Sequence, residues 1–62
     1  MCQITIYRGT ESEDAKLMDD VSQYEIDLSG RKIRAQKMMG EEMVFTIENN
    51  VRWNSRKDTL II

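Results

Sequence analysis

Period-two alternation runs through almost the whole chain, and nowhere does an i, i+3, i+4, i+7 apolar pattern persist for three turns. That pattern excludes a helical bundle and calls for strands. Cys2, Ile4 and Ile6 fall on one side of an opening strand, with Gln3, Thr5 and Tyr7 on the other. Tyr24, Ile26 and Leu28 alternate with Glu25 and Asp27, as in a strand with one wet face. Ile33 and Ala35 oppose Lys32, Arg34 and Gln36, while Met43, Phe45 and Ile47 oppose Val44 and Thr46. Short strands are expected at 51–53 and 59–62. The nearest helical candidate, 35–45, is interrupted by Gly40.

The breaks between these runs set the connections. Residues 8–14 are polar and contain Gly9, so they read as a loop. Residues 15–18 are a brief apolar recovery that Asp19 and Asp20 punctuate. Val21 is out of phase with the Tyr24 row, and a bulge or turn near Ser22 would absorb the slip. A tight turn at Ser29-Gly30 brings Lys32 and Arg34 opposite Glu25 and Asp27. Such cross-strand pairs contribute a few tenths to about 1 kcal/mol each. Gly40 is free to take a positive φ, and Asn49-Asn50 and 54–58 are further turns. The apolar final residues are expected to be paired rather than frayed. The expected fold is all-β: about six short antiparallel strands forming one domain over 1–62, a small curved sheet or an SH3- or Sm-like barrel whose closure removes exposed edges.

A chain of 62 residues buries only about 60% of its unfolded surface, so its core is marginal. Disulfides, a structural metal or association with another chain are the usual supplements. With one cysteine and no histidine, an internal disulfide is impossible and a closed zinc site would need mainly carboxylates. Oligomerisation remains, and it alone would place two thiolates around one ion. The net charge of −2 is unevenly spread. Glu11, Glu13, Asp14, Asp19, Asp20, Glu25 and Asp27 dominate the first half, against Arg8 and Lys16. Arg31, Lys32, Arg34, Lys37, Arg52, Arg56 and Lys57 dominate the second, against Glu41, Glu42, Glu48 and Asp58. The halves are expected to attract one another across the fold, the alternative being a basic patch at Arg52, Arg56 and Lys57 for an anionic partner. No apolar run approaches the roughly 20 residues of a membrane span, and no signal peptide is visible. A free cysteine without a secretory signal fits a reducing cytoplasm.

The side chains argue against an enzyme. A thiolate nucleophile at Cys2 needs a base, and there is no histidine to supply one. Asp19-Asp20 and Glu41-Glu42 diverge on strands or turns, and no phosphate-binding glycine loop is present. Cys2 is either a small apolar residue completing a core face or a thiolate metal ligand. If Met1 is removed, Cys2 offers an α-amine and a thiolate in one five-membered chelate. Two such termini about a two-fold axis would give an N₂S₂ set suited to Ni(II) or Cu(II), with Cu(I) or zinc competing through the thiolates alone. If Met1 stays, an ionised backbone amide would serve, making binding strongly pH-dependent. Met18, Met38, Met39 and Met43 are expected in the core or at a dimer contact rather than as thioether ligands. The rival class is a small RNA-binding or protein-interaction module with a structural cysteine, in which Tyr7, Tyr24, Phe45 and Trp53 could stack on bases. The negative overall charge weighs against it.

The order of several pieces resembles the CooT family of small nickel-binding accessory proteins of carbon monoxide dehydrogenase maturation. These pieces are Met1-Cys2 leading into a strand that ends at Tyr7, Leu17-Met18-Asp19-Asp20-Val21 before Tyr24-Glu25, Gly30 before the basic strand, Met39-Gly40-Glu41-Glu42 after it, and the apolar final strand. The resemblance implies a compact β-rich homodimer in which the Cys2 residues of both subunits come together to bind one nickel ion, and the nitrogens of Cys2 and Gln3 are the further ligands expected here. It also implies a nickel enzyme such as carbon monoxide dehydrogenase as the client. Asp58 stands near the place where such proteins often carry a histidine, so no histidine is available as an auxiliary ligand.

Overall fold

A computed structural model describes residues 3–62, so Met1 and Cys2 lie outside the described residues. The strands are β1 (Ile4–Tyr7), β2 (Lys16–Asp27), β3 (Lys32–Lys37), β4 (Glu42–Thr46), β5 (Arg52–Asn54) and β6 (Thr59–Ile61). A single turn of 3₁₀ helix, Glu13–Ala15, closes the loop that leads into β2. All six strands join one sheet in the order β4-β3-β2-β1-β6-β5. Among the described residues, no helix is long and apolar enough to cross a membrane.

The hairpins form where the alternation sets them. In the β2–β3 ladder, Glu25 faces Arg34, Ile26 faces Ile33 and Asp27 faces Lys32. Arg34 forms an ion pair with Glu25. The turn between them is held by Asp27, whose Oδ1 accepts from the Gly30 amide and the Ser29 hydroxyl, each at 3.0 Å. Residue 30 is glycine because an added Cβ would lie 2.6 Å from Asp27 Oδ2. The β3–β4 ladder is regular, pairing Ile33 with Phe45 and Ala35 with Met43. Gly40 closes that hairpin at φ +96°, a conformation that suits a residue without Cβ.

Strand β2 runs further than the sequence suggests. It begins at Lys16 and passes straight through Asp19 and Asp20, which the alternation alone marks as a break. Three slips make this possible. Between Ile4↔Val21 and Ile6↔Met18 the β1–β2 register gains a residue on the β2 side, and Asp20 takes φ +53° there. The same ladder gains another residue on β2 between Ile6↔Met18 and Tyr7↔Lys16, and the third slip lies between Val21 and Gln23 in the β2–β3 ladder, at the expected place beside Ser22. Bulges sharpen the bend and twist of a strand, so β2 turns the sheet from β1 on one side to β3 on the other.

One feature of the expected architecture is corrected by the topology. The pairing of β1 with β6 is parallel (Thr5↔Thr59, Ile6↔Leu60, Tyr7↔Ile61), because the chain returns to β6 by way of the intervening strands rather than through a hairpin. Of the two expected forms the sheet takes the open one, a small curved sheet with β4 and β5 as its edges. The curvature is nonetheless strong. Three strand spacings in a flat sheet are about 14 Å, yet the rings of Tyr24 on β2 and Trp53 on β5 have centroids 6.3 Å apart.

The concave side holds the core: Ile4, Ile6, Met18, Val21, Ile33, Ala35, Ile47, Leu60 and Ile62 are buried, with Leu17, Ile26, Phe45 and Val51 packed against them. Ile62 is paired as expected. Its amide donates to Tyr7 O at 2.8 Å, and its carbonyl accepts from the amides of Glu48 and Asn49 and from Asn49 Nδ2. Burying a side chain such as Ile6 or Ile33 is worth about 1.5–3 kcal/mol, and both are wholly buried.

Candidate functional site

Gln3 immediately precedes β1 and is exposed. Its expected companion Cys2 lies outside the described residues. Where β1 begins, Ile4 pairs with Val21, and Val21 pairs in turn with Lys37 at the end of β3. This row brings the start of β1 alongside the β3–β4 turn. Gln3, Asp20, Lys37, Met38, Met39 and Glu41 therefore line one shallow depression of ≈ 300 Å³. The turn is fixed from within: the Lys37 amide donates to Glu41 O at 2.8 Å and the Gly40 amide to Lys37 O at 2.9 Å.

The methionines divide sharply. Met18 is in the core. Met38 and Met39, at the tip of the turn, are 75% and 94% exposed, so neither fills the interior. Met43 is less than half exposed. Two soft thioethers thus stand on the surface, on the same depression as Gln3.

A small ion-pair network supports the edge of this depression. Lys37 Nζ donates to Asp19 Oδ1 at 3.1 Å, and Lys16 Nζ lies 3.6 Å from Asp19 Oδ2 and 2.9 Å from Glu13. The bond from Lys37, then its charge, holds the Asp19 carboxyl below its ordinary value. Lys37 is raised in return, first by that same bond. Lys16 is raised mainly by Glu13. Among the described residues, no three histidine, cysteine, aspartate or glutamate side chains converge to hold a metal ion. Carboxylates alone therefore make no such site among the described residues.

A second surface lies at the β5 edge. Arg52, Trp53, Asn54, Ser55 and Arg56 line an open cavity of ≈ 540 Å³ together with Glu11 and Ile61. Sequence reasoning placed Tyr24 and Trp53 in separate strands and had no signal for their contact. It likewise gave no reason to place Met38, Met39 and Asp20 beside Gln3, since that neighbourhood depends on two strand registers. No family model matches the chain, and neither a curated protein nor a solved structure matches it.

Proposed function

We propose that this protein is a nickel-binding accessory protein of the metallochaperone type, acting as a homodimer that shares one Ni(II) between the Cys2 residues of two subunits. The observation that carries the reading is the depression where Gln3 meets Met38 and Met39. It gives the start of β1 an exposed, sulfur-rich neighbourhood and an apolar surface with no intramolecular partner among the described residues. Two copies meeting through this turn would cover the methionines and draw their first residues together. Thiolate sulfur with amine or amide nitrogen from Cys2 and Gln3 suits the planar preference of Ni(II), and Cu or Zn would compete. The resemblance to the nickel accessory proteins points the same way, and a nickel enzyme such as carbon monoxide dehydrogenase is the proposed client. The protein holds and hands over an ion in this reading, so it needs no catalytic group of its own.

The test is a Ni(II) titration of the reduced protein, followed by absorption and native mass. Thiolate charge-transfer bands that saturate at one ion per two chains are expected, and Cys2→Ser should abolish them. Binding that survives Cys2→Ser unchanged would sink the proposal.

A further inference from the structure

The sheet leaves two edges, and they differ in how they are guarded. Strand β5 is only three residues long and begins with Arg52, and both features discourage pairing with another chain. Strand β4 is five residues long and holds neither lysine nor proline. Its register with β3 is unbroken from Lys32↔Thr46 to Gln36↔Glu42, so no bulge turns it aside.

The backbone of β4 shows which groups face outward. At the two ends of its ladder with β3, the Ile47 amide donates to Arg31 O and the Lys37 amide to Glu41 O, each at 2.8 Å. Bonded and non-bonded pairs alternate along an antiparallel ladder, so Ile33↔Phe45 and Ala35↔Met43 carry the bonds between those ends. The N–H and C=O groups of Glu42, Val44 and Thr46 therefore point away from β3. Arg8 Nη1 donates to Thr46 O, and among the described residues no strand lies on that side.

The side chains along the edge divide by face and by charge. Met43 is 43% exposed and Phe45 half-buried against the core. Glu42, Val44 and Thr46 are exposed on the opposite face. Two hollows on that face reach the edge. One, of ≈ 410 Å³, runs from Glu42 past Gln36 to Gln23 and Glu25. The other, of ≈ 200 Å³, runs from Val44 to Lys32 and Asp27. Arg34 is already paired with Glu25. Among the described residues, no cation comes within ion-pair distance of Glu42, and no carboxylate within that of Lys32 or Arg8. Lys32 stands directly across from Thr46, and Arg8 sits on its carbonyl. The edge thus offers an unpaired acid at its start and two unpaired cations at its end.

We propose that the β4 edge takes an extended segment of a partner protein as a further antiparallel strand, with an acidic residue opposite Thr46, an aliphatic one opposite Val44 and a basic one opposite Glu42. In strand addition the main-chain bonds supply affinity and alternate side chains supply selectivity. Read from its N-terminus, the segment runs acid, apolar, aliphatic, apolar, base. Its acid meets Lys32 and Arg8, its base reaches past Glu42 into the larger hollow, and its two intervening apolar residues cover Met43 and Phe45. A second copy of β4 laid antiparallel across Val44 would set Thr46, not a base, opposite Glu42, so a partner with a base at that place fits the edge better. The proposal is independent of Cys2 and of any metal.

The test uses the full chain carrying Cys2→Ser, free of metal. The probe is a fluorescein-labelled peptide whose core reads aspartate, phenylalanine, valine, leucine, lysine between serine-glycine flanks. Saturable binding by anisotropy is expected. On binding, hydrogen exchange should slow at the amides of Glu42, Val44 and Thr46 and stay unchanged at those of Met43 and Phe45. Val44→Pro removes one outward N–H at an edge, where proline is tolerated, and should weaken binding about tenfold or more. N-methylation of the peptide's valine should do the same without altering the protein, and it decides the matter if Val44→Pro fails to fold. Glu42→Lys should weaken binding about threefold, and a peptide with glutamate in place of its lysine should restore it. No saturable binding, full binding of the N-methylated peptide, or equal binding of the peptide in reversed order would each overturn the assignment. Protection of the same three amides without peptide, lost on dilution, would overturn it in favour of a second copy.

Discussion

Lys37 Nζ donates to Asp19 Oδ1 at 3.1 Å, and through this bond β3 grips β2 where the pairing of β2 with β1 slips. The bond depresses the Asp19 carboxyl below 3.8 and raises Lys37 above 10.5. A carboxyl depressed on folding contributes stability above its unfolded value, and that contribution is lost as pH falls through the folded value. A lysine raised on folding contributes below its unfolded value, lost as pH rises through the folded one. Asp19→Asn should therefore flatten both the acid and the alkaline limbs of a denaturant-midpoint profile. A profile that superimposes on the parent would rule out this coupling. Some acid sensitivity should persist in the variant, because Asp27 is also held low, first by the Gly30 amide and then by the Ser29 hydroxyl.

Ile33 is wholly buried at the centre of the β2–β3–β4 ladders, facing Ile26 and Phe45. Ile33→Val should cost about 1 kcal/mol and Ile33→Ala about 2–5 kcal/mol. The larger loss rivals the whole stability expected of so small a domain. Urea unfolding followed by Trp53 fluorescence would measure the first, and circular dichroism would show whether the second folds at all.

Gly40→Ala should destabilise by about 1 kcal/mol even though nothing lies within 4 Å of the added methyl. The cost comes from φ +96° alone, so Gly40→Asn should be milder than Gly40→Val. Equal stability of all three would show that the turn relaxes to another conformation.

Met38→Ser with Met39→Ser should leave the unfolding midpoint within about 0.5 kcal/mol of the parent, since both side chains are exposed. On the proposed reading the same double variant weakens association of the two chains and loosens the metal. Sedimentation with and without Ni(II) separates the two effects. Unchanged association and unchanged metal affinity would remove these residues from the function.

What the sequence made legible was local. The Glu25–Arg34 and Asp27–Lys32 pairs, the slip at Ser22 and the positive φ of Gly40 all follow from alternation and turn residues within a few positions of one another. The passage of β2 through Asp19 and Asp20 was hidden, because a double aspartate reads as a break until Lys16 and Lys37 are known to reach it. The parallel β1–β6 pairing was hidden for a different reason. Alternation says that Ile6 and Leu60 each face a core, but not that they face it side by side. The surface around Gln3 was hidden for the same cause, because Met38 and Met39 join Gln3 only through the registers of two ladders.

That parallel pairing also orders events in time. The β2–β3 and β3–β4 hairpins close short loops, while Thr5 must find Thr59 from nearly the far end of the chain. Loop-closure entropy makes such distant pairings slow. The expected sequence is a β2–β3–β4 meander first and β1 docking with β6 last. Substitutions at Leu60 should then mainly speed unfolding, whereas those at Ile33 should slow folding itself. Until that last step is complete the sheet lacks its β6–β5 side, whereas the row Ile4–Val21–Lys37 that sets Gln3 beside the β3–β4 turn needs only the pairings of β2, so that end of the sheet can be in place before the chain has finished folding.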